Sequence, residues 1–180
     1  FKVATSGRPG PVVISLPEDV QRELIEAPER VINVPIVPSP SPAQIDQLGE
    51  LISKAKQPAI LLGASPWTAE ACDQMADFAQ RHDIPVVASF RCQDKIDNDH
   101  PNYVGVLGVG TPPFISKLID DADLLIVLGV ELSEIVTEGF TKFSHPKMSQ
   151  GLVHVHPDEE ELGRIYQADL AIHSGMAAFA

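Results

Sequence analysis

The stretch Ala122-Asp123-Leu124-Leu125-Ile126-Val127-Leu128-Gly129 decides the fold class of this chain. From Leu124 to Leu128 every residue is apolar, with no alternation between apolar and polar positions. Such a run is typical of a strand that is covered on both faces, as in a parallel sheet flanked by helices. Apolar runs of the same kind lie on both sides of it, at residues 59–63, 85–89, 152–155 and 170–172.

Helical patterns separate these runs. Ser41 precedes Pro42 at a helix start, and apolar residues then recur at helical spacing as far as Ala55. Further helices are predicted from about Thr68 to His82, from Pro112 to Asp121 and, as a short one, from Asp158 to Arg164. Residues 90–111 are predicted to be mostly irregular. The alternation predicts an α/β fold, a Rossmann-like, doubly wound parallel sheet of about six strands over residues 42–174.

Residues 1–41 have a different character. Gly7 to Pro11 form a turn rich in glycine and proline, and Val12 to Leu16 is an apolar run that predicts one more strand. Prolines at positions 35, 38, 40 and 42 favour an extended, semi-rigid path, so we expect residues 21–41 to be a linker. The chain does not begin with Met, and residues 175–180 are typical of the start of a helix. We therefore expect the chain to be a piece of a longer protein.

The composition excludes several classes of function. The net charge is −12, with 25 acidic against 13 basic residues, which argues against nucleic acid and anionic membrane surfaces as partners. The longest apolar run, residues 122–130, is far shorter than the ~20 residues of a membrane span. The two cysteines, Cys72 and Cys92, form no CxxC motif, as is usual in a reducing compartment. We therefore expect a cytoplasmic protein.

The loop after the first strand of this domain is one candidate binding site. Ligands of open α/β sheets bind beyond the carboxyl ends of the strands, so the loops that follow the strands matter most. Gly63, Ala64 and Ser65 form a small-residue turn before a helix, and its N–H groups could hold a phosphate. A plain tight turn between strand and helix is an equally good interpretation.

A second candidate is a loop with three glycines in six residues. Its candidate residues are Gly105, Gly108, Gly110 and Thr111. Glycines let a backbone approach a ligand closely, and a loop shaped only by packing rarely needs so many. We therefore favour a binding role for this loop over packing alone.

Two more candidates follow later strands. Gly129 and Glu131 come after the strongest strand, and Glu131 could accept hydrogen bonds from a ribose or cap the next helix. Asp158 stands before three glutamates, where it suits a helix N-cap. If the domain binds a ligand, we expect an adenine nucleotide, such as ADP or FAD, across residues 63–65, 105–111 and 129–131.

Catalytic and metal-binding groups are not indicated. His154 and His156 alternate along one strand and so share a face, but no third ligand is suggested nearby. Cys92 and Ser65 have no motif that pairs either of them with a histidine acting as base. We therefore predict no catalytic residue and no metal site in this chain.

Five segments, in order, resemble thiamine-diphosphate-dependent enzymes of the acetolactate synthase type. Residues 6–20, with Gly-Arg-Pro-Gly-Pro-Val followed by Leu-Pro-Glu-Asp-Val, resemble the closing strand of that family's pyrimidine-binding domain. The other matching segments are residues 57–63, 85–108, 122–129 and 153–158, which resemble its central domain. The resemblance implies that residues 1–20 end the upstream domain and that residues 175–180 start the downstream linker.

The same resemblance implies that this chain is inactive alone. In the family the catalytic glutamate lies in the upstream domain and the magnesium-binding Gly-Asp-Gly motif in the downstream one. The expected partners are therefore those two domains, in a parent that forms a homo-oligomer and uses thiamine diphosphate with Mg²⁺. Such a parent decarboxylates a 2-oxo acid and joins or releases the resulting unit. We expect no cofactor held by this chain itself.

Two departures from the family argue against flavin. Its flavoenzymes carry Arg-Phe-Asp-Asp-Arg where this chain has Glu131-Leu132-Ser133-Glu134-Ile135, and His156 stands in place of the family's usual aspartate. Two other interpretations remain open. One is a self-contained nucleotide-binding Rossmann module without a catalytic role, and the other is a purely structural or oligomerisation domain.

Overall fold

The computed structural model describes residues 1–27, 29, 34 and 36–180. Its contacts divide the chain into two compact units, Phe1–Ile36 and Val37–Ala180. Among the described residues, no helix is both long enough and apolar enough to cross a membrane.

The first unit contains little regular structure. A one-turn helix, α1, covers Lys2–Thr5, and a 3₁₀ turn covers Val20–Arg22. The strand predicted at Val12–Leu16 is wrong, because these residues have no regular structure and Val13 is 94% exposed. A strand needs a neighbour for its backbone N–H and C=O groups, and none pairs with this segment in the described part of the unit.

The second unit alternates strands and helices. Its helices are α2 (Pro42–Lys54), α3 (Ala69–His82), α4 (Pro113–Asp121) and the one-turn α5 (Met176–Phe179). Its strands are β1 (Pro58–Leu62), β2 (Val86–Ser89), β3 (Tyr103–Leu107), β4 (Leu124–Leu128), β5 (Gly151–His156) and β6 (Leu170–His173). Two 3₁₀ turns lie at Gln93–Lys95 and Glu159–Glu161.

The sheet has the order β3-β2-β1-β4-β5-β6, and each neighbouring pair is parallel. This confirms the predicted α/β fold with six strands in the sheet. One of them, β3, lies in the stretch that we predicted to be mostly irregular. It is an edge strand, mostly half-buried, with Gly105 at its centre. Glycine and partial burial weaken the apolar pattern that reveals a strand.

Helix ends follow the local signals. Ser41 and Gln44 form a capping box at the start of α2, and the Thr68 side chain accepts a hydrogen bond from Ala71 N at the start of α3. The helix predicted from Asp158 to Arg164 is wrong in extent, since only Glu159–Glu161 form a 3₁₀ turn. Gly163 follows with φ +81°, a left-handed conformation that a continuing helix cannot contain.

Both faces of the sheet are covered. Alternate residues of a strand point to opposite faces, so Ile60 packs in the core that α2 and α3 cover, while Leu61 packs in the core that α4 covers.

Prolines at 38 and 40 fall in the predicted linker, yet Pro38 O accepts a hydrogen bond of 3.0 Å from Gly175 N within the second unit. Pro35 lies outside the described residues, and the linker stays a prediction.

The long connection from β4 to β5 is fastened to α4 by a buried lysine. The Lys142 side chain is only 2% exposed, and its Nζ lies 2.9 Å from Asp120 Oδ1. It also donates a hydrogen bond of 2.6 Å to Ser116 Oγ. Glu138 adds a second carboxylate, 3.6 Å away. Because its charge is matched and its donors are used, this lysine can be buried without a large desolvation penalty.

The carboxyl edge of the sheet as candidate functional site

The natural place for a ligand lies between β1 and β4. The chain runs from β1 outward to β2 and β3, and from β4 outward to β5 and β6 in the opposite direction. The loops after β1 and β4 therefore diverge, which makes this the switch point where ligands bind in open α/β sheets. The structure brings Gly63, Ser65 and Gly129 together here, as the parallel arrangement predicts.

This switch point is filled by the chain itself. A Cβ atom on Gly63 would lie 2.1 Å from Gly129 O, so the two loops are in direct backbone contact. Ser65 N and Ser65 Oγ both donate to the same Gly129 O, at 3.3 and 3.1 Å. On the other side, a Cβ on Gly129 would meet Ser65 Cβ at 2.6 Å and Met176 Sδ at 3.1 Å. The small residues of this turn are therefore required by packing.

The glycine loop after β3 also has structural reasons for its composition. A Cβ on Gly108 would lie 2.8 Å from Phe90 Cβ, and one on Gly105 would lie 2.5 Å from Ile115 Cδ1. Gly105 and Gly110 have φ values of +137° and +74°, which other residues rarely adopt. A Cβ atom on Gly110 would have nothing within 4 Å, so only the backbone conformation explains why this residue is a glycine.

Thr111 closes this loop on itself. Gly108 N donates to Thr111 Oγ1 at 2.7 Å, and Thr111 Oγ1 donates to Gly108 O at 2.8 Å. The Gly108 N–H group is thus already in use and is not available to a phosphate. The loop is also two strands away from β1, a distance of about 10 Å at the usual strand spacing.

The two acidic candidates, Glu131 and Asp158, lie in different settings. Glu131 is half-buried with its Oε1 atom inside the protein, so this oxygen is not presented to a ribose at the surface. Asp158 accepts a hydrogen bond of 3.1 Å from Glu160 N and caps the 3₁₀ turn. Ala64 is exposed, and its methyl side chain has no hydrogen-bonding group to offer a ligand.

Two neighbours of this edge, Arg91 and Met176, were not predicted from the sequence. Arg91 follows β2 with φ +64°, and its guanidinium carbon lies 4.9 Å from the centroid of the Phe90 ring. Its place directly after a strand was the signal that could have identified it. Met176 of α5 packs against Gly129. The two residues are 47 positions apart in the sequence, and no sequence pattern predicts their contact.

The two histidines of β5 are structural. Both are buried, with ring centroids 6.0 Å apart. His154 Nε2 lies 2.9 Å from Val130 O, and burial lowers the pKa of His154 to about 4. His156 Nδ1 accepts a hydrogen bond of 3.1 Å from Asp158 N. Across the described residues, no cluster of three or more His, Cys, Asp or Glu side chains could hold a metal ion.

A mostly apolar concavity of the second unit lies away from this edge. A cavity of about 390 Å³ is bounded mainly by α2, α3 and α5 over the central strands. Trp67, Met75, Phe78 and Phe179 are among its walls, and its polar side chains are Gln74, Asp77 and Arg81. It offers apolar area and no recognisable catalytic constellation.

Comparison with known proteins identifies the family. The model of the thiamine pyrophosphate enzyme central domain matches residues 45–180. The chain belongs to this family. The match confirms the resemblance drawn from the sequence, and the parallel sheet described above is the architecture expected of it.

Relatives of this family member include several acetolactate synthases. The acetolactate synthase of Arthrospira platensis is 31% identical and aligns with 96% of this chain but 31% of its own length. Acetolactate synthase isozyme 2 large subunit of Escherichia coli K12 is 26% identical, over 99% of this chain and 32% of its own length. The chain thus spans about a third of the length of the curated relatives it matches.

A solved structure has the same fold. An X-ray structure of a proposed thiamin diphosphate-dependent enzyme from Mycobacterium smegmatis superposes with a TM-score of 0.76 at 24% identity. It covers 98% of this chain and 34% of that protein. At this identity the likeness concerns the fold alone.

Proposed function

We propose that this chain is the central-domain part of a thiamine-diphosphate-dependent enzyme that decarboxylates a 2-oxo acid and joins or releases the resulting unit. Within that enzyme the domain is a structural module that holds no cofactor of its own. The family match and the acetolactate synthase relatives support the first statement. The geometry of the carboxyl edge supports the second.

The observation that carries the structural role is the closed switch point. Gly63 touches Gly129, both donors of Ser65 are directed at Gly129 O, and Met176 covers Gly129 from the other side. A nucleotide at this place would need the backbone N–H groups and the space that these contacts use. The glycines that first favoured a ligand thus have a packing role.

The charge of this edge also disfavours a bound nucleotide. Glu131 and Glu134 occupy the positions where flavoenzymes of the family carry arginines, and the chain as a whole has a net charge of −12. Negative side chains repel a pyrophosphate, whether it belongs to FAD or to ADP. We therefore infer that the domain binds neither.

The remaining chemistry of the parent lies in other domains. The relatives are about three times as long as this chain, which leaves room for the two thiamine-binding domains of the family. In this proposal those domains are the partners of the chain, and they supply the catalytic glutamate and the Mg²⁺ site. A cytoplasmic homo-oligomer is the form that we propose for the parent.

Calorimetric titration with thiamine diphosphate and Mg²⁺ tests this proposal. The 180-residue chain should give no saturable heat, because the groups that bind the cofactor lie outside it. A longer protein that includes the flanking domains should bind the cofactor and release CO₂ from a 2-oxo acid such as pyruvate. Saturable binding to the 180-residue chain, or none to the longer protein, would contradict the proposal.

A further inference from the structure

A small cavity that is partly open to solvent lies beside β5, on the face that α4 covers. It is lined by Leu132, His154, Glu161, Arg164, Ile165 and Tyr166. Its volume of about 10 Å³ is close to the least that one water molecule needs. Two of the lining side chains are apolar and four carry polar groups, so the cavity has the hydrogen-bonding partners that an ordered water needs.

Tyr166 contributes a buried hydroxyl to this region. The residue is 2% exposed, and its Oη has no hydrogen-bond partner among the described residues. The ring is held edge-on by Phe143 and His145, with centroid distances of 6.1 and 6.5 Å. The hydroxyl oxygen is shielded from bulk solvent, and a buried hydroxyl is costly without a partner.

His154 contributes a defined acceptor. Its Nε2 lies 2.9 Å from Val130 O, and since a carbonyl oxygen only accepts, Nε2 must carry the proton of that hydrogen bond. Burial keeps the ring neutral at physiological pH, as its lowered pKa of about 4 indicates. In a neutral imidazole with hydrogen on Nε2, the other nitrogen, Nδ1, is an acceptor.

We propose that this cavity binds one water molecule, which accepts a hydrogen bond from Tyr166 Oη and donates one to His154 Nδ1. The second hydrogen of the water is directed toward Glu161, whose side chain is only 11% exposed and pairs with Arg164 at 3.1 Å. The water thus completes a chain of hydrogen bonds from Tyr166 through His154 to Val130. These hydrogen bonds join the segment after β5 to the loop after β4.

A crystal structure of the 180-residue chain at atomic resolution is the direct test. We expect one ordered water within hydrogen-bond distance of both Tyr166 Oη and His154 Nδ1. An empty cavity, or a direct bond from Tyr166 Oη to another protein group, would overturn the proposal. This measurement needs no variant and so does not depend on how a substitution folds.

Nuclear magnetic resonance with matched variants is a second test. In the native chain the bound water should transfer magnetisation to the Tyr166 hydroxyl and the His154 ring, and His154 should carry its proton on Nε2. Tyr166→Phe should abolish the transfer and shift the His154 Nδ1 resonance. Tyr103→Phe, which removes the other tyrosine hydroxyl of the chain at β3, should change neither. Equal transfer in the native chain and Tyr166→Phe would contradict the assignment.

Discussion

Mild acidification should destabilise this domain through protonation of the buried His154. The side chain is 2% exposed in β5, and burial lowers its pKa from the ordinary 6.5 to about 4. An unfolded chain exposes the ring and restores the ordinary pKa. Between these two values the unfolded state therefore binds the proton more strongly than the folded state does, and folding stability must fall as the pH falls.

The size of the effect follows from the two pKa values. Stability is unaffected by this residue above pH 6.5, and each pH unit below that value costs about 1.4 kcal/mol until the folded pKa is reached. Between pH 7 and pH 5 the loss amounts to about 2 kcal/mol. This is a large part of the ~5–15 kcal/mol that stabilises a typical domain.

Urea denaturation at pH 7 and pH 5 measures the loss, with His154→Gln as the control. The glutamine amide can still donate to Val130 O but does not titrate in this range, so the variant should lose about 2 kcal/mol less than the native chain over the same interval. Titrating groups remote from residue 154 are common to both proteins and cancel in the difference, whereas the neighbouring His156, with its ring centroid 6.0 Å away, interacts with His154 and cancels only in part. An equal pH dependence of the two proteins, or a His154 titration midpoint near 6.5, would refute the reasoning.

Two further predictions concern packing and charge, both read out as the free energy of unfolding in urea. Gly63→Ala should cost about 3 kcal/mol or more, because its Cβ would lie 2.1 Å from Gly129 O. Gly49→Ala, in an open part of α2, should instead stabilise by about 0.5–1 kcal/mol; a mild cost at Gly63 would contradict the contact. Lys142→Met should destabilise by about 1–3 kcal/mol through the loss of its buried hydrogen bond and ion pairs. Lys117→Met removes an exposed ion pair and should change the free energy of unfolding by no more than ~0.5 kcal/mol. Equal effects of the two lysine changes would contradict a stabilising role for the buried Lys142 contacts.

Most of the fold could be predicted from the sequence because its central strands are apolar throughout. β4 and β1 are buried on both faces, so their residues are apolar at successive positions. A helix that covers a sheet is apolar only on the side that faces the sheet, so its pattern is interrupted by polar residues. β3 was not predicted, because an edge strand with a central glycine lacks the continuous apolar run of a buried strand. The apolar run Val12–Leu16 has the composition of a strand, but a strand also needs a neighbour, which composition cannot reveal.

The candidate site was harder to predict than the fold. The loops that follow the strands could be located, because parallel strands end at one edge. What these loops do depends on contacts between distant residues, such as Ser65 with Gly129 and Gly129 with Met176. A glycine required by a neighbouring backbone and a glycine required by a phosphate look the same in a sequence. Only the three-dimensional contacts favour the first interpretation here.

The central claim is that the chain itself fills the switch point between β1 and β4, so that no nucleotide binds there. Thermal unfolding of the 180-residue chain with and without nucleotides tests this claim most directly. ADP, ATP, FAD and coenzyme A are each added at about 1 mM, where a site with a Kd of about 10 μM would stabilise the fold by about 2.7 kcal/mol. For a domain of this size that corresponds to a rise in Tm of roughly 5–10 °C. We expect no rise in Tm with any of the four ligands and a colourless protein after purification. A rise of several degrees with any of them, or a flavin absorption band in the purified chain, would contradict the claim.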